Sequence, residues 1–229
     1  MNYFIFKNVD SRNIQGLIVQ ELPPITKPAM RINITEIDGR DGEIIEELGY
    51  QAYDKMVLIG LTKDYNINEI ISFLNGQGKL ILSNETDKYY NVKIIEQIDF
   101  ERLVKFRTAK VKFHTQPYKY KTDDEYVLAN DSIENEGNEE SQPIIRLERL
   151  ESDTVDITIN EVNIKYKFNN EAYVEIDCEK KTIQYENLNR NRETTIGYDF
   201  PKLCVGSNTI TFNLGTRCNV KFMRKDRWL

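Results

Sequence analysis

The apolar residues of this chain fall almost entirely into short β-branched and aromatic runs cut by turn residues, and one segment alone keeps a clear helical period. Such runs become strands that are stable only when one sheet packs on another, so the sequence predicts a mainly β protein built of sandwiches. Arg31-Ile32-Asn33-Ile34-Thr35-Glu36-Ile37 alternates and stops at Asp38-Gly39-Arg40-Asp41-Gly42. That pattern predicts a half-buried strand followed by a turn. Lys55 to Thr62, Lys79 to Ser83 and Tyr89 to Gln97 are further strands. From Leu103 to Thr115 the apolar parity changes between Val104/Phe106 and Val111/Phe113, which predicts one long strand run with a bulge or a bend.

The helical segment is Asn66 to Gly76. Asn66 is placed to cap it, with Glu69 reciprocating three residues on, and Ile67, Ile70, Ile71 and Leu74 form one apolar stripe. Gly76 suits a left-handed C-terminal cap. Lys121 to Gln142 is rich in Asp, Glu, Asn and Ser, and marks the boundary between a first domain at 1–125 and a second at 126–229. Beyond it seven strand-like runs follow, among them Thr154 to Ile159, Val162 to Phe168, Ala172 to Cys178 and Thr209 to Leu214, with Asn160-Glu161 as a hairpin turn. No helical stretch interrupts them, so the second domain reads as a β-sandwich.

Charge and composition narrow the function. Lysine and arginine number 31 against 37 aspartates and glutamates, a net of −6. That balance argues against a nucleic-acid binder. No apolar run reaches the length that spans a bilayer, and the first residues lack the pattern of a signal peptide, so the chain is expected to fold in a cytoplasm. One histidine, His114, and three scattered cysteines, Cys178, Cys204 and Cys218, make neither a disulfide framework nor a zinc site, and leave little for a hydrolase triad. No cofactor and no metal are expected.

Gly76-Gln77-Gly78-Lys79 follows a helix and precedes a strand, the reverse of a phosphate loop, and reads as a cap and turn. Asp38 to Glu43 does not match the ligand spacing of an EF-hand; turn residues explain its glycines and solvation explains the acidic stretch Glu134 to Glu140, with calcium binding a minor alternative at both. Tyr173, Glu175 and Asp177 alternate along one strand and share a face. An aromatic beside two carboxylates suits sugar contact, so a carbohydrate-binding module used in host-surface attachment is the alternative function, with glycoside hydrolysis behind it.

Several stretches in order resemble the distal tail protein family of long-tailed phages of Gram-positive hosts and of related prophage tails. They are Gly16 to Pro24, Gly39-Arg40-Asp41-Gly42, Phe73-Leu74-Asn75-Gly76-Gln77-Gly78-Lys79-Leu80, Gln97 to Arg102, Phe113-His114-Thr115-Gln116-Pro117-Tyr118, Ser141-Gln142-Pro143-Ile144-Ile145 and the closing Arg227-Trp228-Leu229. The resemblance implies a non-enzymatic hub, generally of six copies in a ring, between tail tube and tail tip. It implies an N-terminal β-sandwich with one short helix and a projecting hairpin, and a galectin-like C-terminal sandwich facing outward. Implied partners are further copies of the chain, the tail tube protein, a tail tip protein and a receptor-binding protein, without nucleic acid or membrane insertion, and the implied location is the virion tail tip. The Pro-bounded, turn-rich arm from Pro23 to Gly42 is the candidate for reaching the neighbouring copy, with Pro23, Pro24, Arg40, Asp41 and Gly42 as interface residues.

Overall fold

In the computed structural model, residues 1–122, 125–197, 199–213 and 217–229 are described. Contacts divide the chain into two compact units, Met1–Thr122 with Leu229, and Asp123–Trp228.

The first unit contains β1 (Phe4–Phe6), β2 (Val9–Asp10), β3 (Leu17–Glu21), β4 (Met30–Glu36), β5 (Glu43–Tyr50), β6 (Tyr53–Leu61), α1 (Ile67–Phe73), β7 (Gln77–Leu82), β8 (Glu85–Lys93), α2 (Phe100–Phe106) and β9 (Thr108–Lys121). Seven of the strands form an antiparallel sheet in the order β2-β1-β7-β8-β9-β6-β3. Two strands, β7 and β8, separate β1 from β9 in that order. On a flat sheet Phe4 and Phe113 would therefore stand roughly 14 Å apart at the usual strand spacing. Their ring centroids are 5.5 Å apart, which requires the sheet to curl over its own core. Phe6 and Phe73 complete the aromatic cluster, and Val57, Ile59, Leu80 and Val111 fill the space around it.

Helix α1 lies on this core. Its cap is the expected one, with the Asn66 side chain accepting from the Glu69 N–H at 3.3 Å. The reciprocal half is not made, because the Asn66 N–H already donates to the Gln15 carbonyl. The buried stripe is Ile70, Phe73 and Leu74, while Ile71 is exposed. The larger Phe73 reaches the Phe4 ring and turns the helix away from Ile71.

The expected bulged strand from Leu103 is corrected. Asp99 caps α2 by accepting from the Arg102 N–H at 2.8 Å, and Arg107, at φ 59°, ends the helix before β9 begins. The parity break is thus a helix–strand junction, and the first unit has two short helices where one was expected.

The second unit contains β10 (Val127–Ala129), β11 (Ser132–Asn135), β12 (Ile144–Arg149), β13 (Thr154–Ile159), β14 (Val162–Lys167), β15 (Tyr173–Asp177), β16 (Thr182–Tyr185), β17 (Leu188–Asn189), β18 (Thr194–Ile196), β19 (Gly206–Phe212) and β20 (Cys218–Met223). They form a six-stranded sheet, β10-β20-β12-β15-β16-β17, and a five-stranded sheet, β11-β19-β13-β14-β18. Ile145, Val174 and Phe222 from the first sheet share one core with Ile157, Tyr166 and Ile210 from the second. This is the two-layer arrangement of a β-sandwich. Asn160 takes φ 49° at the expected hairpin turn and uses its side chain to hold Asn208 and the Thr209 N–H. Part of the polar stretch from Lys121 is structured, because β10 and β11 pair with β20 and β19. Leu214, the last residue of the strand expected from Thr209, lies outside the described residues.

Candidate functional site

Strands β4 and β5 form a two-stranded sheet of their own, outside the three larger sheets. Their register runs from Met30 opposite Tyr50 to Glu36 opposite Glu43, with an irregularity between Met30 and Ile32. The expectation of a half-buried strand is corrected here: Arg31 to Gly49 is exposed throughout. Ile34 and Ile45 face each other across the hairpin at 47% and 53% exposure, and Ile32, Ile37, Ile44 and Leu48 are similarly open. The alternation is present, but no second layer of this chain covers it. A lone two-stranded hairpin is marginal in water, and large apolar side chains grouped on a projecting element mark an interaction surface.

The tip is built by glycines. Gly39 and Gly42 take φ values of +79° and +81°, and the Arg40 N–H donates to the Ile37 carbonyl at 3.1 Å. Arg40, Asp41 and Gly42, three of the residues expected at an interface, are exposed there.

The root is fixed to the curled sheet. Pro23 is buried and Pro24 exposed, so of these two expected interface residues the first packs inside its own protomer. Asn84 donates through Nδ2 to the Pro23 carbonyl at 3.2 Å, and Lys55 donates through Nζ to the Pro24 carbonyl at 3.1 Å. Proline ring residues cannot donate, so their carbonyls are the handles the backbone offers at this position. On the other strand, the Gln51 N–H donates to the Ala29 carbonyl, and Tyr50 packs edge-on against Tyr118.

Lys55 is 2% exposed and lies over the Tyr90 ring at 4.7 Å and the Tyr53 ring at 5.3 Å. Nearby, the Glu85 carboxylate accepts from Lys119 Nζ at 2.9 Å and from the Tyr90 hydroxyl at 2.8 Å. Burial pushes the Lys55 ammonium down to about 8; the Glu85 charge opposes this and Lys119 adds to it. Burial likewise pushes the Tyr53 phenol up to about 12 and raises Tyr90 further. No spacing of residues announces this cluster, whose members meet only through long-range pairing.

His114 contacts Asp54 through Nδ1 at 2.8 Å, a carboxylate and not a thiol. Cys178 and Cys218 are buried, and burial raises both thiols, Cys218 to about 11, which makes them poor nucleophiles. Among the described residues no group of three or more His, Cys, Asp or Glu side chains is placed to hold a metal ion. No helix among them is long and apolar enough to cross a membrane.

In the second unit, Tyr173 meets Tyr185 edge-on and carries the Arg146 guanidinium 3.7 Å above its ring. Glu175 accepts from the Tyr126 hydroxyl at 2.7 Å. Asp177 is not presented beside them. It is 4% exposed, and its carboxylate accepts from the Glu179 and Lys180 N–H groups, closing the turn after β15. Burial works to raise the Asp177 pKa, but these N–H groups and Lys180 outweigh it and hold the carboxyl below its usual range. Of the two carboxylates expected on an open face, Asp177 is thus buried and taken up by the turn that follows the strand, while Glu175 is half-buried.

Residues 136–228 match the family model of the siphovirus-type tail component, C-terminal domain. A search of curated proteins finds no match. Among solved structures the chain is similar to the Dit protein of phage SPP1, described as a paradigm of the hub adsorption apparatus in phages infecting Gram-positive bacteria. That likeness has 14% identity and a TM-score of 0.75, and covers 100% of both chains. It is also similar to a chain of the phage P2 baseplate in its activated conformation with calcium, at 13% identity and a TM-score of 0.54, covering 96% of this chain and 97% of that one. The expected resemblance to distal tail proteins and the mainly β, sandwich-built fold are both borne out.

Proposed function

We propose that this chain, whose residues 136–228 match the siphovirus-type tail component model, is a structural hub of a phage tail, closing with further copies into a ring of six at the tail tip. On this reading residues 1–125 form the ring, joining tail tube to tail tip protein. Residues 126–229 form an outward galectin-like sandwich on which a receptor-binding protein docks. The role is one of assembly, without catalysis.

The arm is the observation that carries the proposal. It projects exposed isoleucines from a firmly held root, and a single copy has nothing to bury them against. A patch of this kind that meets an unlike patch on the next copy generates a ring when the rotation closes. The likeness of the whole chain to a hub protein supports the same reading. The test is replacement of the exposed arm residues Arg31–Gly49 by a short glycine link between Met30 and Tyr50, which leaves the root at Pro23 and Pro24 in place. The shortened chain is expected to fold and remain monomeric; a shortened chain that folds and still forms rings would remove the arm from the interface.

A further inference from the structure

The first unit carries a surface whose chemistry complements the arm. On the outward side of β7, β8 and β9 lies an open hollow lined by Gln77, Lys79, Asn91, Lys93, His114 and Gln116, together with Gly78 and Val92. The pairing explains the grouping: Gln77 stands opposite Lys93, Lys79 opposite Asn91, and Lys93 opposite His114. No carboxylate lines the hollow. At its margin Asp54 is engaged by His114 at 2.8 Å and by Lys112 at 3.4 Å. Lys79 rests its ammonium over the Tyr89 ring at 4.0 Å, and it and Lys93 are exposed.

The arm has the opposite character. Between Met30 and Tyr50 six carboxylates, Glu36, Asp38, Asp41, Glu43, Glu46 and Glu47, stand against Arg31 and Arg40, a net of −4. Glu36, Asp38, Asp41 and Glu43 crowd the tip and are exposed. The first unit thus offers carboxylates on its hairpin and lysines in a carboxylate-free hollow.

Resting on the ring reading above, we infer that the acidic tip of one copy's arm seats in the Lys79–Lys93 hollow of the next copy. Charge matched in this way fixes which face meets which, and it disfavours arm-to-arm and hollow-to-hollow pairing by like-charge repulsion. The contact is heterologous, as a closed ring requires.

Charge exchange on the full chain tests this, with ring dissociation followed on dilution. The exposed double variant K79E/K93E is expected to keep its circular dichroism and melting temperature, and to dissociate at a concentration about tenfold higher or more. The arm variant D41K/E43K is expected to do the same, and the combined four-site variant to recover most of the loss. Rings of K79E/K93E as tight as wild type, or no recovery in the combination, would overturn the inference and leave the ring reading standing. Loss of wild-type retention on heparin in K79E/K93E, with rings unaffected, would assign the hollow to a polyanion and overturn it too. A wild-type chain that never associates removes the ring reading, and this inference with it.

Discussion

The ammonium of Lys55 donates to the Pro24 carbonyl at 3.1 Å from a position that is 2% exposed, so a buried charge fixes the root of the projecting arm. Because burial holds Lys55 near 8 in the folded protein and it titrates near 10.5 when exposed, the unfolded chain binds the extra proton between those values. Stability from this group is therefore lower below pH 8 and rises as the pH climbs toward 10.5. Urea denaturation is expected to show a gain of about 1–2 kcal/mol between pH 7.5 and 9.5, absent in Lys55→Met. An unchanged slope in that variant would show that Lys55 is not the titrating group.

Glu171 makes the opposite prediction for acid. Burial acts to raise its pKa, but the Tyr166 hydroxyl, the Asn169 and Asn170 N–H groups and Arg190 outweigh it and hold the carboxyl below its ordinary value. Its stabilisation is present above about pH 4.5 and is lost as the pH falls through the depressed folded value. Glu171→Gln is expected to destabilise the protein by about 1–3 kcal/mol at pH 7 and to flatten its acid limb, read from urea midpoints between pH 6 and 3.

The curl of the first sheet rests on aromatic packing. Phe113 touches both Phe4 and Phe6 with centroids at 5.5 Å and is fully buried. Phe113→Ala is expected to cost about 3–5 kcal/mol in chemical denaturation. A loss below 1 kcal/mol would mean that the sheet does not close on this cluster.

What the sequence revealed depended on how local the determining contact is. The helix α1 was legible because Asn66 and the isoleucines after it carry a complete local signal. Helix α2, of the same seven-residue length, was not: Phe100, Val104 and Phe106 suit strands by type and run on in sequence into β9. The hairpin turn at Asp38 to Gly42 was readable, but its exposure was not, since alternation says which side chains share a face and not whether anything covers it. The Lys55–Glu85 cluster joins residues brought together by β6, β8 and the arm root, and no spacing announces it. Tyr173, Glu175 and Asp177 lie on one strand as alternation put them, but the burial of Asp177 under the N–H groups of the following turn depends on contacts that alternation does not report.

The arm's apolar side chains separate assembly from stability. Ile34 and Ile45 pair across the hairpin and are about half exposed. The double variant I34E/I45E is expected to change monomer stability by less than about 1 kcal/mol, since it alters exposed positions. It is also expected to abolish association in sedimentation velocity. Association at wild-type strength would show that these isoleucines stay in water.

The most direct test is the mass and shape of the full-length protein in solution. Light scattering after size exclusion, with negative-stain images of the same peak, is predicted to give a discrete multiple of 26.9 kDa and ring-shaped particles with a central opening. A single species at the protomer mass, unchanged up to high concentration, would contradict the account.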